Sequence, residues 1–413
     1  MNIKLRLTIM SFLQFFVWGS WLLTIGAYWF QTKHWSGTEF GAIFSTMGIA
    51  SLFMPAIAGI IADRWINAEK LYGIFHLLGS IVVFTVPFIN DPSLMFWVML
   101  LNMCFYMPTI ALSITVAYSA LKSKGLDIIK EYPPIRVWGT IGFIVALWVI
   151  SLSGFEKNAG QFYVSSASAL ILGFYSFTLP KCPPLGSGAK KSIIESLGLN
   201  AFSLFKNSKM ALFFFFTVLL GASLQLTNAY GDTFLHDFDS IAEYKDLIAV
   251  KYPAIIMSIS QISETLFILT IPFFLKKFGI KKVMLISMLA WTFRFGLFAF
   301  GNPGNGLWMI VLSCIIYGMA FDFFNISGSL FVETQSDEKI RASAQGLFMM
   351  MTNGVGAFLG SRISGIVIDR YYTLADGSFD WKGIWLAFAA YSLVIALFFA
   401  LLFRHKHQVA EAK

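Results

Sequence analysis

Long apolar runs separated by short polar intervals set the pattern of this chain, and windows of about 19 residues resolve roughly twelve of them. They lie near 8–30, 38–62, 70–90, 93–120, 135–155, 160–180, 209–231, 252–275, 282–300, 307–331, 341–368 and 383–403. As helices, runs of this length cross a hydrocarbon layer of about 30 Å. The widest polar interval, Lys181–Lys209, holds Pro183, Pro184, Gly186, Gly188 and several lysines, and reads as a linker. The pattern predicts an all-α polytopic membrane protein. It divides into an N-terminal six-helix bundle over 1–180, a cytoplasmic linker over 181–208, and a C-terminal six-helix bundle over 209–413 with a short cytoplasmic tail.

Charge gives the chain a direction. Lys4, Arg6, Arg64, Lys70, Lys122, Lys124, Lys130, the linker lysines, Lys276, Lys277, Lys281, Lys282, Arg404 and Lys406 fall on one side of the spans. The positive-inside rule makes that side cytoplasmic, together with both termini. The loop after span seven is acidic instead, with Asp232, Asp237, Asp239, Glu243 and Asp246. Thr8–Phe30 is too long for a cleaved leader and lacks a small-residue cleavage site, so it reads as a first span and signal anchor.

Composition agrees with the pattern. Hydrophobic residues make up 57% of the chain and charged residues 13%, against about 25% charged in soluble domains. The net charge of +8 sits in short loops, which argues against nucleic acid as a partner. Cys104, Cys182 and Cys314 share no metal-ligand spacing, and His34, His76, His236, His405 and His407 are scattered, so neither a metal nor a cofactor is expected. No Ser/His/Asp set, His cluster or phosphate-binding glycine loop marks an enzyme.

The informative residues are the polar ones inside the spans. Asp322 is the only charge between Leu307 and Phe331, Glu264 the only one within Pro253–Leu275, and Arg136 the only one within Ile135–Phe155. A carboxylate at the centre of a membrane helix costs roughly 2.5–3.5 kcal/mol on insertion scales, so its default reading is a substrate path or proton relay. Helical steps of three and four align these residues with others: Arg136, Thr140 and Phe143; Gly221, Gln225, Asn228 and Asp232; Gln261 and Glu264; Gly318, Asp322, Asn325 and Ser329, with Tyr317 and Phe321 alongside. Single amides serve as glue between helices. Four such stripes predict a polar face that lipid does not touch. Amides and carboxylates there would read hydroxyls and ring N–H groups, while Phe143, Tyr317 and Phe321 would stack on a flat ring.

Other charges have plainer readings. Arg294 in span nine is expected to pair internally with a partner the sequence does not name. Arg362, Asp369 and Arg370 read as an interfacial ion-pair cluster, and Glu333, Asp337, Glu338, Lys339 and Arg341 as a cytoplasmic network. Trp18 and Trp21 suit either a cavity or an interfacial belt.

The two halves also echo one another. Gly59-Ile60-Ile61-Ala62-Asp63-Arg64 follows span two, and Lys276-Lys277-Phe278-Gly279-Ile280-Lys281-Lys282 follows span eight. The first resembles the G-x-x-x-D-R loop of the major facilitator superfamily, and the second keeps its basic, glycine-containing end. Two six-helix repeats around a midplane cavity is the architecture this implies.

Within that superfamily, Pro133-Pro134-Ile135-Arg136-Val137-Trp138-Gly139-Thr140-Ile141-Gly142-Phe143 resembles the span-five signature of the nucleoside:proton symporters. Its R-x-aromatic-G-x-x-G-aromatic core is also similar to the sugar-binding helix of lactose:proton symporters. The resemblance continues through Ser11–Trp21, Ile256–Phe267, Phe321–Gly328, Ala342–Gly346 and Met350–Gly354, and covers essentially the whole chain. It implies proton-coupled nucleoside uptake across a bacterial inner membrane by a protein functional as a monomer, with nucleoside, protons and membrane lipid as partners. It nominates Arg136, Thr140, Phe143, Gln225, Asn228, Gln261, Glu264, Tyr317 and Phe321 for the substrate. Asp322 is first choice for the coupling proton, with Glu264 the other candidate. A single-nucleoside (xanthosine-type) carrier, a sugar symporter and a non-transporting nucleoside sensor are the alternatives.

Overall fold

A computed structural model describes residues 2–184, 199–337 and 340–405. Part of the linker, together with Glu338, Lys339, Lys406 and His407, lies outside the described residues. Two compact units emerge, Met1–Leu197 and Gly198–Lys413.

The first unit contains α1 (Ile3–Gly19), α2 (Thr46–Arg64), α3 (Ala68–Thr85), α4 (Pro92–Ser123), α5 (Ile128–Leu152) and α6 (Gly160–Ser176). The second contains α7 (Ser208–Asp237), α8 (Pro253–Ile268), α9 (Ile271–Phe300), α10 (Leu307–Gln335), α11 (Ala357–Tyr371) and α12 (Trp381–Leu402). Short polar side chains start several of them. Asp91 accepts the N–H groups of Ser93 and Leu94 ahead of α4, and Asn207 accepts those of Lys209 and Met210 ahead of α7. Among the described residues, eight helices are long and apolar enough on their own to cross a membrane.

The remaining spans are shorter or broken, and the breaks correct the sequence reading. Span one is not a continuous helix over 8–30. It starts earlier, at Ile3, and stops at Gly19. A turn over Ser20–Thr24 follows, then one helical turn and a π-helical stretch over Tyr28–Thr32. The Ser20 hydroxyl donates to the Phe16 carbonyl (2.7 Å), and Thr24 donates across to Gln161 on α6 (2.9 Å). These side chains give the backbone an alternative to the helical ladder. Span eight stops at Ile268, because Pro272 has no N–H to return to the preceding turn. Helix resumes at Ile271 and breaks again at Gly279 (φ 76°, ψ 167°), inside the Lys276–Lys282 turn. Span eleven is a helix over Arg341–Met349 joined to α11 by a π-helical stretch over Met350–Gly356.

Internal packing repeats with a shift of six helices. The first unit pairs α1 with α5 and α6, α2 with α4, and α3 with α4 and α6; the second pairs α7 with α11 and α12, α8 with α10, and α9 with α10 and α12. Small residues permit the closest of these approaches. A Cβ at Gly142 would collide with the Phe12 carbonyl between α5 and α1, and one at Gly221 with the Thr352 carbonyl between α7 and the π stretch. The first core gathers Leu7, Ala58, Tyr72, Val116, Ile135 and Leu172 from all six helices.

Candidate functional site

The two units hold their polar side chains differently. In the first, Arg136, Thr140 and Phe143 climb α5 at helical spacing, with Arg136 and Thr140 half-buried and Phe143 buried. The Arg136 guanidinium carbon lies 4.1 Å from the centre of the Phe15 ring on α1. Gly139 makes room for this contact, since a Cβ there would press on both the Phe15 ring and Arg136 Nη1. Trp18 meets Phe143 edge-on, with ring centres 6.4 Å apart, and leans on Tyr106 at 5.5 Å. Trp18 and the buried Trp21 therefore belong to the protein interior, not to an interfacial belt.

Behind this face lies a satisfied network centred on Gln14, a residue the sequence reading passed over. Its Nε2 donates to the Thr109 hydroxyl (2.9 Å), and its Oε1 accepts from the Tyr72 hydroxyl (2.7 Å) and from His76 Nε2 (2.9 Å). Because the amide is oriented by Thr109, His76 carries its proton on Nε2. Tyr106 donates to the Gln14 backbone carbonyl at 2.8 Å. Gln14 is the one buried amide a single turn before Trp18, and that spacing was its only sequence signal.

The second unit contributes α7, α8, α9 and α10. Gly318 lets α10 run against the backbone of Ser263 and Glu264 on α8, and the Ser263 hydroxyl donates to the Ile315 carbonyl across the same seam. Half-buried Glu264 stands on α8 at this seam, with its backbone against Gly318, one turn before Asp322 on α10. Tyr317 and Phe321, one turn apart, stack in parallel with ring centres 5.7 Å apart and planes within 3°. Phe321 also lines a recess with Leu220, Leu224, Trp291, Asn325 and Thr352.

Several polar atoms of this unit lack partners. Among the described residues, Gln225 Oε1, Gln261 Oε1 and Asp322 Oδ2 are buried with no hydrogen-bond donor. Each such oxygen costs about 1–3 kcal/mol, which a ligand supplying donors would recover. Asn228 is half-buried on the α7 stripe. Asn325, by contrast, donates back to the Phe321 carbonyl of its own helix (3.0 Å), and Ser329 exchanges two hydrogen bonds with Gln345. Lower on the α10 stripe, Ser329 is thus helix-to-helix glue, while Asn325 bonds within its own helix.

Arg294 does pair internally, as expected, but with neutral oxygens. It is fully buried and donates to the Ser313 carbonyl (2.6 Å), the Ser260 hydroxyl (3.4 Å) and the Thr227 hydroxyl (3.4 Å). Of the predicted cytoplasmic network, Arg341 Nε lies 3.2 Å from Glu333 Oε1.

Comparison with known proteins places the chain. The family described as Nucleoside H+ symporter matches residues 1–408. The Xanthosine permease of Escherichia coli (strain K12) is 53% identical over 414 residues, covering 100% of this chain and 99% of that protein. Nucleoside permease NupG of the same organism is 52% identical over 408 residues, covering 98% and 97%. The crystal structure of nucleoside transporter NupG superposes with a TM-score of 0.93 at 52% identity, covering 98% of this chain and 100% of that one. With the repeated six-helix packing and the buried polar stripes, these matches assign the chain the major facilitator fold and make it a member of the nucleoside H+ symporter family.

Proposed function

We propose that this protein carries purine and pyrimidine nucleosides across the bacterial inner membrane together with protons, by alternating access, as a monomer with both termini cytoplasmic. The observation that carries the reading is the trio of donor-less buried oxygens on Gln225, Gln261 and Asp322. A nucleoside brings the donors they lack, its ribose hydroxyls and base N–H groups, and a proton supplies the last.

In this reading Asp322 takes the coupling proton. Glu264 holds the ribose hydroxyls, and Gln225, Asn228 and Gln261 read ribose or base edges. Tyr317 and Phe321 stack on the base. On the first unit, Arg136, held over Phe15, orients the ligand, with Thr140 and Phe143 on the same face. Protonation and nucleoside binding together neutralise and satisfy the site, which lowers the cost of the conformational change that releases both. Lipid covers the exposed apolar helix faces.

Uptake of labelled uridine into cells, with and without a protonophore, tests the function. Accumulation abolished by the protonophore is expected, and accumulation that persists unchanged would overturn proton coupling. A narrower reading has its own support in the 53% identity to a xanthosine permease. Labelled substrates separate the two: a broad carrier should take up uridine, adenosine and xanthosine alike, whereas a narrow one would take up xanthosine and leave uridine and adenosine outside.

A further inference from the structure

We infer that Arg294 is a positioning residue for nucleoside binding: its guanidinium, held among neutral oxygens, sets the plane of the Tyr317–Phe321 stack. The inference rests on the proposed transport of nucleosides and adds a residue outside the ligand face. Arg294 sits on α9 with no exposed surface. Its hydrogen-bond partners come from three other helices: Thr227 on α7, Ser260 on α8 and the Ser313 carbonyl on α10. The Ser313 hydroxyl returns a bond to the Arg294 carbonyl at 3.0 Å, closing a ring between α9 and α10. Among the described residues, no carboxylate forms an ion pair with the guanidinium. A buried charge without a counter-ion is costly, and membrane helices that carry one usually put it to use.

The use is legible in what lies over the cation. Its central carbon is 4.7 Å from the centre of the Tyr317 ring and 5.2 Å from that of Phe298. On α10 the Tyr317 ring runs parallel to Phe321, and Trp291 fixes it edge-on with ring centres 5.9 Å apart. Guanidinium, phenol and phenyl thus form a sequence leading from a locked cation to the recess beside Phe321. Five N–H groups in a rigid plane can hold several oxygens and one ring face at once, which a lysine cannot do. The orientation of the stacking platform is therefore set from behind, by a residue that touches no ligand.

The test is uridine uptake and equilibrium uridine binding by the full-length protein, comparing Arg294→Met and Arg294→Lys with wild type. Losing the cation–π contact should raise KM and Kd about tenfold in Arg294→Met, with Arg294→Lys intermediate and Vmax per transporter changed less. In a Tyr317→Leu background the same Arg294→Met change should add little, because the ring it positions is gone. Unchanged KM in Arg294→Met with only Vmax or protein abundance lowered would overturn the inference. So would full additivity with Tyr317→Leu. If Arg294→Met does not accumulate in the membrane, the binding constant of Arg294→Lys decides: a wild-type value refutes the positioning role. Absence of saturable uridine uptake by wild type would instead refute the function on which the inference rests.

Discussion

Gln14 in the first unit and Gln225 in the second are both buried glutamines on the opening helix of their repeat, yet they stand in opposite states. Gln14 has both ends of its amide engaged, by Thr109 on one side and by Tyr72 and His76 on the other. Gln225 presents an oxygen with no donor among the described residues, as do Gln261 and Asp322 elsewhere in the second unit. The packing of the helices is shared between the units, and the bonding of these two amides is not. Buried polarity that is fully bonded holds a bundle together, whereas a buried acceptor left open can take a donor from a ligand.

Breaking Gln14 should give the largest effect on stability. Gln14→Ala leaves the Tyr72 hydroxyl and His76 ring without their acceptor and Thr109 without its donor, a loss of about 3 kcal/mol. Thermal unfolding in detergent should show a lower Tm. An unchanged Tm would mean the network is not structural.

Gln225→Leu should behave in reverse. Removing an orphan acceptor leaves Tm unchanged or raises it, while the uridine KM increases about tenfold, equivalent to about 1.4 kcal/mol. If Tm falls and KM holds, the contrast between the two glutamines is lost. Thr140→Val on the first unit should raise KM by only about threefold, since it removes one half-buried hydroxyl; uptake kinetics measure it. The smallest effect belongs to the exposed pair Lys251–Asp246, whose charged atoms lie 3.1 Å apart. Lys251 holds the Asp246 carboxyl below its ordinary range, so Asp246 is ionised at neutral pH and above. Lys251→Ala should therefore leave uptake at pH 7 and Tm unchanged. A fall in either would assign that loop a role.

The open half of this contrast is legible in the sequence. Asp322, Glu264 and Arg136 stood out because each is alone in an apolar span, and steps of three and four placed their neighbours. The Pro272 break follows from its missing N–H, but it falls inside a long apolar run that hydropathy alone does not divide. Gln14 was hidden because its meaning lies in Tyr72, His76 and Thr109, which come from α3 and α4. The partners of Arg294 are hidden for the same reason, since they lie on α7, α8 and α10. Periodicity reports which residues share a face of one helix; it carries no register between helices. The Ser20–Thr24 interruption depends on a hydroxyl reaching Gln161 on another helix, and so escaped as well.

The central claim is that Asp322 carries the proton that accompanies the nucleoside. Proteoliposomes loaded with a pH-sensitive dye test it directly, with uridine added outside and wild type compared with Asp322→Asn. Wild type should acidify the lumen as uridine enters, and Asp322→Asn should bind uridine while moving no protons. Uridine-driven acidification in Asp322→Asn at the wild-type rate would contradict the assignment and shift the role to Glu264.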